Sequence, residues 1–386
     1  MENEEKQRII KWVNHVLKDE SFDKINIAFP DFYNTGGGYA AEMTFVDVAV
    51  EKRESKEIIN LIVKKSKIDF TSNSELDFID LYKNEINLYS KIVPYFQNML
   101  KEKHAEPFKN IPKCYGTVSE DNRYIIILEN LKIKNYKLHD ITKPFDLVHV
   151  KLVLEAYANW HALSFALKDQ DPRAFEKLKE YNKGFANSKT IDFFISTIYK
   201  EIDYVVEIYE KKKMRSDIIE KLKILKGNFK DLCIETFRGS DEDYEVIRHG
   251  DCWNNNFLFH YKEENADPDE VVIIDWNELD HLDNLLKFYY DTLSRKLIEL
   301  GSNPDKCFPK NIFLEKFKKY APFGCAGAPL MTKMSCKSGG EQSVTIDEVL
   351  KQGNFNKLLE GEILNPNEYF NRIDGVLNFC LERGFL

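Results

Sequence analysis

The sequence predicts an α+β chain of two lobes, a small antiparallel-sheet lobe followed by a larger, mostly helical one. Three observations predict it. Apolar runs of strand length, separated by charged or small-residue turns, recur between Met43 and Leu128. From about residue 146 the apolar spacing becomes helical. The 386 residues also exceed what one hydrophobic core usually holds. The expected division is residues 1–131 and 132–386.

Composition narrows the partners. With 43% apolar residues the chain can bury ample core, and a net charge of −9 argues against nucleic acid or an anionic membrane surface. No apolar run approaches the ~18 residues of a membrane span, and the acidic start, Met1 to Glu5, has no signal-peptide character. Seven scattered cysteines without a Cys-x-x-Cys pair suggest a reduced cytoplasmic interior with neither a disulfide framework nor a zinc site. A monomer is expected.

In chain order, Ile9, Ile10, Trp12, Val13, Val16 and Leu17 share one face of a first helix. Gly36, Gly37 and Gly38 follow; they permit positive φ and close backbone approach, as a phosphate-covering loop requires, though a hairpin turn accounts for them equally well. Met43 to Val50 and Ile58 to Val63 read as an antiparallel hairpin that ends in Lys64 and Lys65. Because side chains alternate along a strand, only one of the two lysines can face a cleft, and Lys64 is chosen. A surface lysine is the plainer alternative. Ser72 to Glu75 has capping-box form, and the apolar spacing from Leu76 to Tyr89 predicts a helix ending near Pro94, with Glu85 available to pair with Lys64. Pro112 to Val118 and Tyr124 to Leu128 predict two further strands, the second running into a hinge at Glu129 to Leu131 whose backbone could meet an adenine edge.

Beyond the hinge, Leu147 to Leu167 form one long helix, with His161 on its apolar face read as a core or cleft histidine. Helices near Thr190–Glu210 and Ser216–Phe237 follow, then further helices interrupted by Phe323 to Leu330 and by Ser338-Gly339-Gly340. The first interruption is read as a lining of the acceptor pocket, a packed surface loop being the alternative.

The chemistry is concentrated in His249-Gly250-Asp251-Cys252-Trp253-Asn254-Asn255-Asn256, between two apolar runs. An Asp followed five residues later by an Asn has the layout of a kinase-type catalytic loop. There the Asp takes the acceptor's proton and the Asn holds magnesium on the nucleotide phosphates. Val271 to Ile274 reads as a strand delivering Asp275 as the second magnesium ligand. Asp251, Asn256 and Asp275 are therefore the candidate catalytic residues, Asn256 and Asp275 the metal ligands. Lys64, Glu85, Gly36, Gly37, Gly38, Glu129 and Leu131 are the candidate ATP-binding residues.

The catalytic stretch, with Phe259 and Tyr261 after it, resembles the His-Gly-Asp-x-Trp-x-x-Asn signature of the ecdysteroid kinase-like family. Asn60 to Lys64, Glu129-Asn130-Leu131, Trp160-His161-Ala162-Leu163-Ser164 and the closing Gly384-Phe385-Leu386 extend the match. The resemblance implies a protein-kinase-like fold related to aminoglycoside phosphotransferases and choline kinases, with ATP as cosubstrate and Mg2+ as cofactor. It implies a small hydroxylated acceptor, first among them a moulting steroid phosphorylated on its side-chain 22-hydroxyl. Plant phenolics or glycosides, and a catalytically silent binding protein, are the alternatives. The chain departs from the family in three places. Asp275-Trp276-Asn277 replaces Asp-Phe-Gln, Ala41 replaces a small hydroxyl residue, and Lys287 stands where an Asp braces the catalytic loop, so that either Asp283 substitutes or the brace is lost.

Overall fold

The computed structural model describes residues 3–30, 41–53, 55–66, 79–120, 123–140, 143–181, 188–238, 242–248, 256–263, 266–273, 282–336, 363 and 365–386. Helix α1 (Asn3–Leu17) forms as its spacing predicts and buries Ile9, Trp12, Val13 and Leu17. It lies on a five-stranded antiparallel sheet of order β1-β2-β3-β5-β4, built from β1 (Lys24–Ala28), β2 (Ala41–Lys52), β3 (Ser55–Ser66), β4 (Cys114–Glu120) and β5 (Arg123–Glu129). Val46, Val48, Val50, Leu61, Val63, Ile125 and Ile127 point at α1 from alternate positions of three strands. Each such side chain taken out of water contributes roughly 1.5–3 kcal/mol. The hairpin of β2 and β3 is longer than its apolar runs. Lys52 pairs with Ser55, and Arg53, at φ 56°, turns the chain while its N–H bonds Asp23 at 2.6 Å. Strand β1 is not among the strands predicted from the sequence, although its residues alternate between exposed and partly buried positions.

The helix expected to end near Pro94 does not end there. Helix α2 (Ile79–Asn87) runs through a π turn, Leu88–Ile92, into α3 (Val93–Glu102). Pro94 would interrupt an α-helix, because it lacks an N–H and its ring crowds the carbonyl of Ser90. Here it sits in the first turn after the widened backbone, where Val93 N–H bonds Leu88 O. The proposed cap at Ser72 to Glu75 lies outside the described residues.

A 3₁₀ turn (Leu131–Lys134) leads from β5 to β6 (Tyr136–Leu138), which joins β7 (Phe257–His260) and β8 (Glu270–Ile273) in a second, three-stranded sheet. The rest is helical: α4 (Leu147–Gln170), α5 (Pro172–Lys179), α6 (Ser188–Lys212), α7 (Ser216–Arg238), α8 (Leu282–Glu299), α9 (Pro304–Cys307), α10 (Lys310–Ser335) and α11 (Pro366–Glu382). One core gathers α3, α4, α8 and the second sheet; another gathers α6, α7, α10 and α11.

Two expectations are corrected here. Phe323 to Leu330 is no loop: it continues α10 through Pro322 and Pro329, burying Cys325, Ala326, Pro329 and Leu330. Packing against α6, α7 and α11 outweighs the local cost of the prolines, so the segment is helix where a break was expected. Ser338-Gly339-Gly340 lies outside the described residues. Cys325 of α10 and Cys380 of α11 pair as a disulfide, Cα atoms 6.6 Å apart, against the expectation of unpaired thiols. Fifty-five residues separate them, so only helix packing brings them together. Among the described residues no helix is long and apolar enough to cross a membrane.

Candidate active site

The site starts from the alternation of β3. Leu61, Val63 and Lys65 face α1, and the Lys65 ammonium bonds Glu5 at 2.5 Å and Glu42 at 2.8 Å. Asn60, Ile62 and Lys64 occupy the opposite face. There Lys64 Nζ lies 2.5 Å from Glu85 Oε1 of α2, each side chain less than a third exposed. The structure thus brings together the two residues that the sequence suggested as partners and separates Lys65 from them. Behind the pair, the Tyr89 phenol is held well above its usual range by burial and by the Glu85 carboxylate. The Cys114 thiol is pushed up to about 11, chiefly by burial, so it stays protonated and unreactive at neutral pH.

The hinge is tightly bonded. Glu129 spends its carboxylate on the lobe itself, accepting from Lys113 N at 2.7 Å and pairing with Lys134 at 2.5 Å. Its side chain is therefore committed, and only backbone groups of the hinge could meet a nucleotide. Asn130, buried, accepts from Lys132 N at 3.1 Å and donates its own N–H to Asn60 O at 2.9 Å. Leu131 is buried beside it.

Gly36, Gly37, Gly38, His249, Asp251 and Asp275 lie outside the described residues; the geometry around the catalytic stretch comes from its two flanks. Asn256, partly buried, immediately precedes β7, whose first residue Phe257 pairs with Ile273, the last residue of β8. Phe257 and Ile273 thus lie at the same end of one ribbon; in the sequence, Asp275 follows Ile273 by two positions.

On the upstream flank, α4 grips the backbone of Ile247. Trp160 Nε1 donates to Ile247 O at 2.7 Å, and Ile247 N donates to Ser164 Oγ at 3.2 Å, all buried. Trp160 and Ser164 stand one helical turn apart, so both reach one residue. Reading the sequence missed this clamp; two polar groups four apart on an otherwise apolar helix face were the available signal. Between them His161 bonds the Tyr289 hydroxyl of α8 at 2.7 Å, and burial lowers its pKa to about 4, so it is neutral. His149 bridges Asp146 at 2.8 Å and Tyr261 at 2.9 Å, fastening the start of α4 to the end of β7.

The bracing question has a partial answer. Lys287 points to solvent and pairs with Asp291, and Asp283, 71% exposed, accepts from Arg383 at 2.6 Å. Among the described residues, Trp160 and Ser164 hold the backbone of Ile247 ahead of Asp251, Arg248 Nη1 donates to Thr236 O at 3.3 Å, and Lys179 Nζ donates to Glu245 at 2.5 Å.

The model of the ecdysteroid kinase-like family matches residues 35–280, most of the chain, and the protein belongs to that family. It is accordingly a phosphotransferase acting on small-molecule hydroxyl groups, with the two-lobed fold of that class. No curated protein is significantly similar to the chain. Among solved structures, a protein assigned as a fructosamine-3-kinase from Haemophilus somnus 129PT aligns over 96% of both chains at 11% identity, with a TM-score of 0.30, and a likeness of that size carries no argument.

Proposed function

We propose that the protein is an ATP- and magnesium-dependent kinase that phosphorylates a hydroxyl of a hydrophobic small molecule, with the 22-hydroxyl of an ecdysteroid as the first candidate. The observation that carries the reading is the Lys64–Glu85 ion pair at the end of β3. A lysine held by a carboxylate on an adjacent helix keeps its ammonium extended where the α and β phosphates of a nucleotide need a fixed cation. Asn256 and Asp275 would hold magnesium, which when bound neutralises charge on the transferring phosphate. Asp251 orients the acceptor hydroxyl and takes its proton. A raised pKa is unnecessary for that task, because the proton leaves late in a loose transition state. The steroid reading also draws on the aromatic content, 27 Phe and 19 Tyr, which can supply an apolar acceptor site.

The test is product analysis by mass spectrometry after incubating the protein with MgATP and a panel of ecdysteroids, plant phenolics and glycosides, alongside the Asp251→Asn and Asp275→Asn variants. An ecdysteroid 22-phosphate made by the wild type and lost in both variants is expected. Phosphorylated phenolics without any steroid phosphate would replace the acceptor, and near wild-type transfer by Asp251→Asn would overturn the catalytic assignment.

A further inference from the structure

Glu85 lies on a helix with an unusual task. Tyr82, Glu85, Tyr89, Ile92, Phe96 and Met99 follow one another at spacings of three and four, with Leu100 four after Phe96, the stripe of a single α-helical face. The structure divides this stripe between two lobes. Tyr82 stacks on Tyr124 of β5, ring centroids 6.3 Å apart, and Glu85 meets Lys64 of β3. Ile92, Phe96, Met99 and Leu100 instead join the core built on α4, where Phe96 stands edge-on to Trp160 at 5.0 Å. The division falls at the π turn Leu88–Ile92. A π turn carries about one residue more than an α turn, and one residue is worth ~100° of helical rotation. The two halves of the stripe are therefore turned apart by roughly that angle.

We infer that the π turn is the positioning device of the Lys64–Glu85 pair: its extra residue lets one helix, bolted to the α4 core by its second half, present Glu85 to β3 with its first. The pair is then set by the fold and does not await a nucleotide or a partner to swing the helix into place. Pro94 favours the widened turn from its far side, since it could donate no α-helical bond to Ser90 O. The inference rests on the reading of Lys64 and Glu85 as the nucleotide-binding pair.

The experiment removes the extra residue. Deleting Lys91, which is exposed, restores α-helical register and turns Glu85 away from Lys64. A second variant adds an alanine after Asn87 to the same deletion, restoring the residue count between Glu85 and Phe96. MgATP affinity is measured by calorimetry on the full chain after each variant is shown to melt cooperatively. The deletion should weaken MgATP binding about tenfold, Glu85→Gln should do the same, and the two together no more than either. The restored-count variant should return to within about threefold of wild type, as cycle arithmetic for a regained contact requires. A deletion that does not fold is replaced by the lone insertion after Asn87, which turns Glu85 about as far the other way. Unchanged affinity in a folded register variant, or a folded restored-count variant as weak as the deletion, overturns the inference. If Glu85→Gln alone leaves MgATP binding unchanged, the nucleotide reading fails instead.

Discussion

The clamp on Ile247 makes the sharpest prediction about catalysis. Ser164→Ala removes the acceptor of a buried backbone N–H, and Trp160→Phe removes the donor to a buried carbonyl of the same residue. Leaving one such group unpaired costs about 1–3 kcal/mol, and the smaller ring of the phenylalanine adds roughly 1 kcal/mol for the space it vacates. In a chain of this size, ~1.2 °C of melting temperature is lost per kcal/mol, so Ser164→Ala should melt about 1–4 °C below wild type on that scale. Ile247 lies four residues before Asp251. A misplacement of the order of 1 Å at a reacting group can cost ~100-fold in rate. Phosphoryl transfer from labelled ATP, assayed well below either melting point, should fall at least ~10-fold in kcat for Ser164→Ala, with KM for ATP little changed. Lys64, proposed to hold ATP, stands on β3 of the other sheet. A variant that melts early yet turns over at the wild-type rate would refute the reasoning, reducing the clamp to core packing.

Other outcomes follow from other parts of the fold. A Cβ at Gly116 would stand 2.6 Å from Val16 Cγ1 and 2.9 Å from Val16 Cβ, so Gly116→Ala should cost about 1–3 kcal/mol by forcing α1 off β4; urea denaturation should show Val16→Ala restoring only part of it, because Cβ remains, and Val16→Gly removing the clash. His161, with a pKa near 4 when folded against 6.5 when free, takes up a proton on unfolding at intermediate pH. Stability should fall as pH drops below about 6.5, by up to ~1.4 kcal/mol per unit until about pH 4. His161→Gln should flatten that slope in melts between pH 7 and 5, and an unchanged slope assigns the acid sensitivity elsewhere. The Cys325–Cys380 link closes a 55-residue separation, which chain entropy values at ~4 kcal/mol; Cys325→Ser and dithiothreitol should lower the denaturation midpoint equally and not additively.

Much of this was legible in the sequence because it depends on periodicity. The choice of Lys64 over Lys65 needed only strand alternation, and the structure sends Lys65 to Glu5 and Glu42. The pairing with Glu85 needed only that a helix follow β3 at short range. What stayed hidden depends on tertiary contacts that leave no local mark. The π turn is invisible because the apolar stripe continues through it unbroken, so Pro94 reads in sequence as a helix end. Phe323 to Leu330 was read as a break because prolines and glycines are local breakers, whereas burial between three other helices carries α10 through. The Cys325–Cys380 link and the grip of Trp160 and Ser164 on Ile247 join segments 55 or more residues apart, and no spacing rule reaches that far. Lys287 marks the opposite case: its departure from the family pattern was plain in sequence, and the structure turns it to solvent beside Asp291.

Trp160 connects the two halves of the candidate site. Its indole N–H holds Ile247, on the way to Asp251, while its ring meets Phe96, on the helix that carries Glu85. Phe108 leans on the same ring, centroids 5.3 Å apart. The 3₁₀ turn after β5 joins the two sheets, and a second connection passes through the core of α4, where Phe96 of α3 meets Trp160. Movement of the five-stranded sheet, which carries Lys64, must then take α2 with it or break the Lys64–Glu85 pair, because α3 stays with Trp160. Rigid coupling of this kind suits an enzyme whose cation and catalytic loop need a fixed separation. It also explains why Trp160→Phe and Ser164→Ala should differ: both loosen Ile247, but only the first also frees Phe96, so it alone should raise KM for ATP together with its effect on kcat.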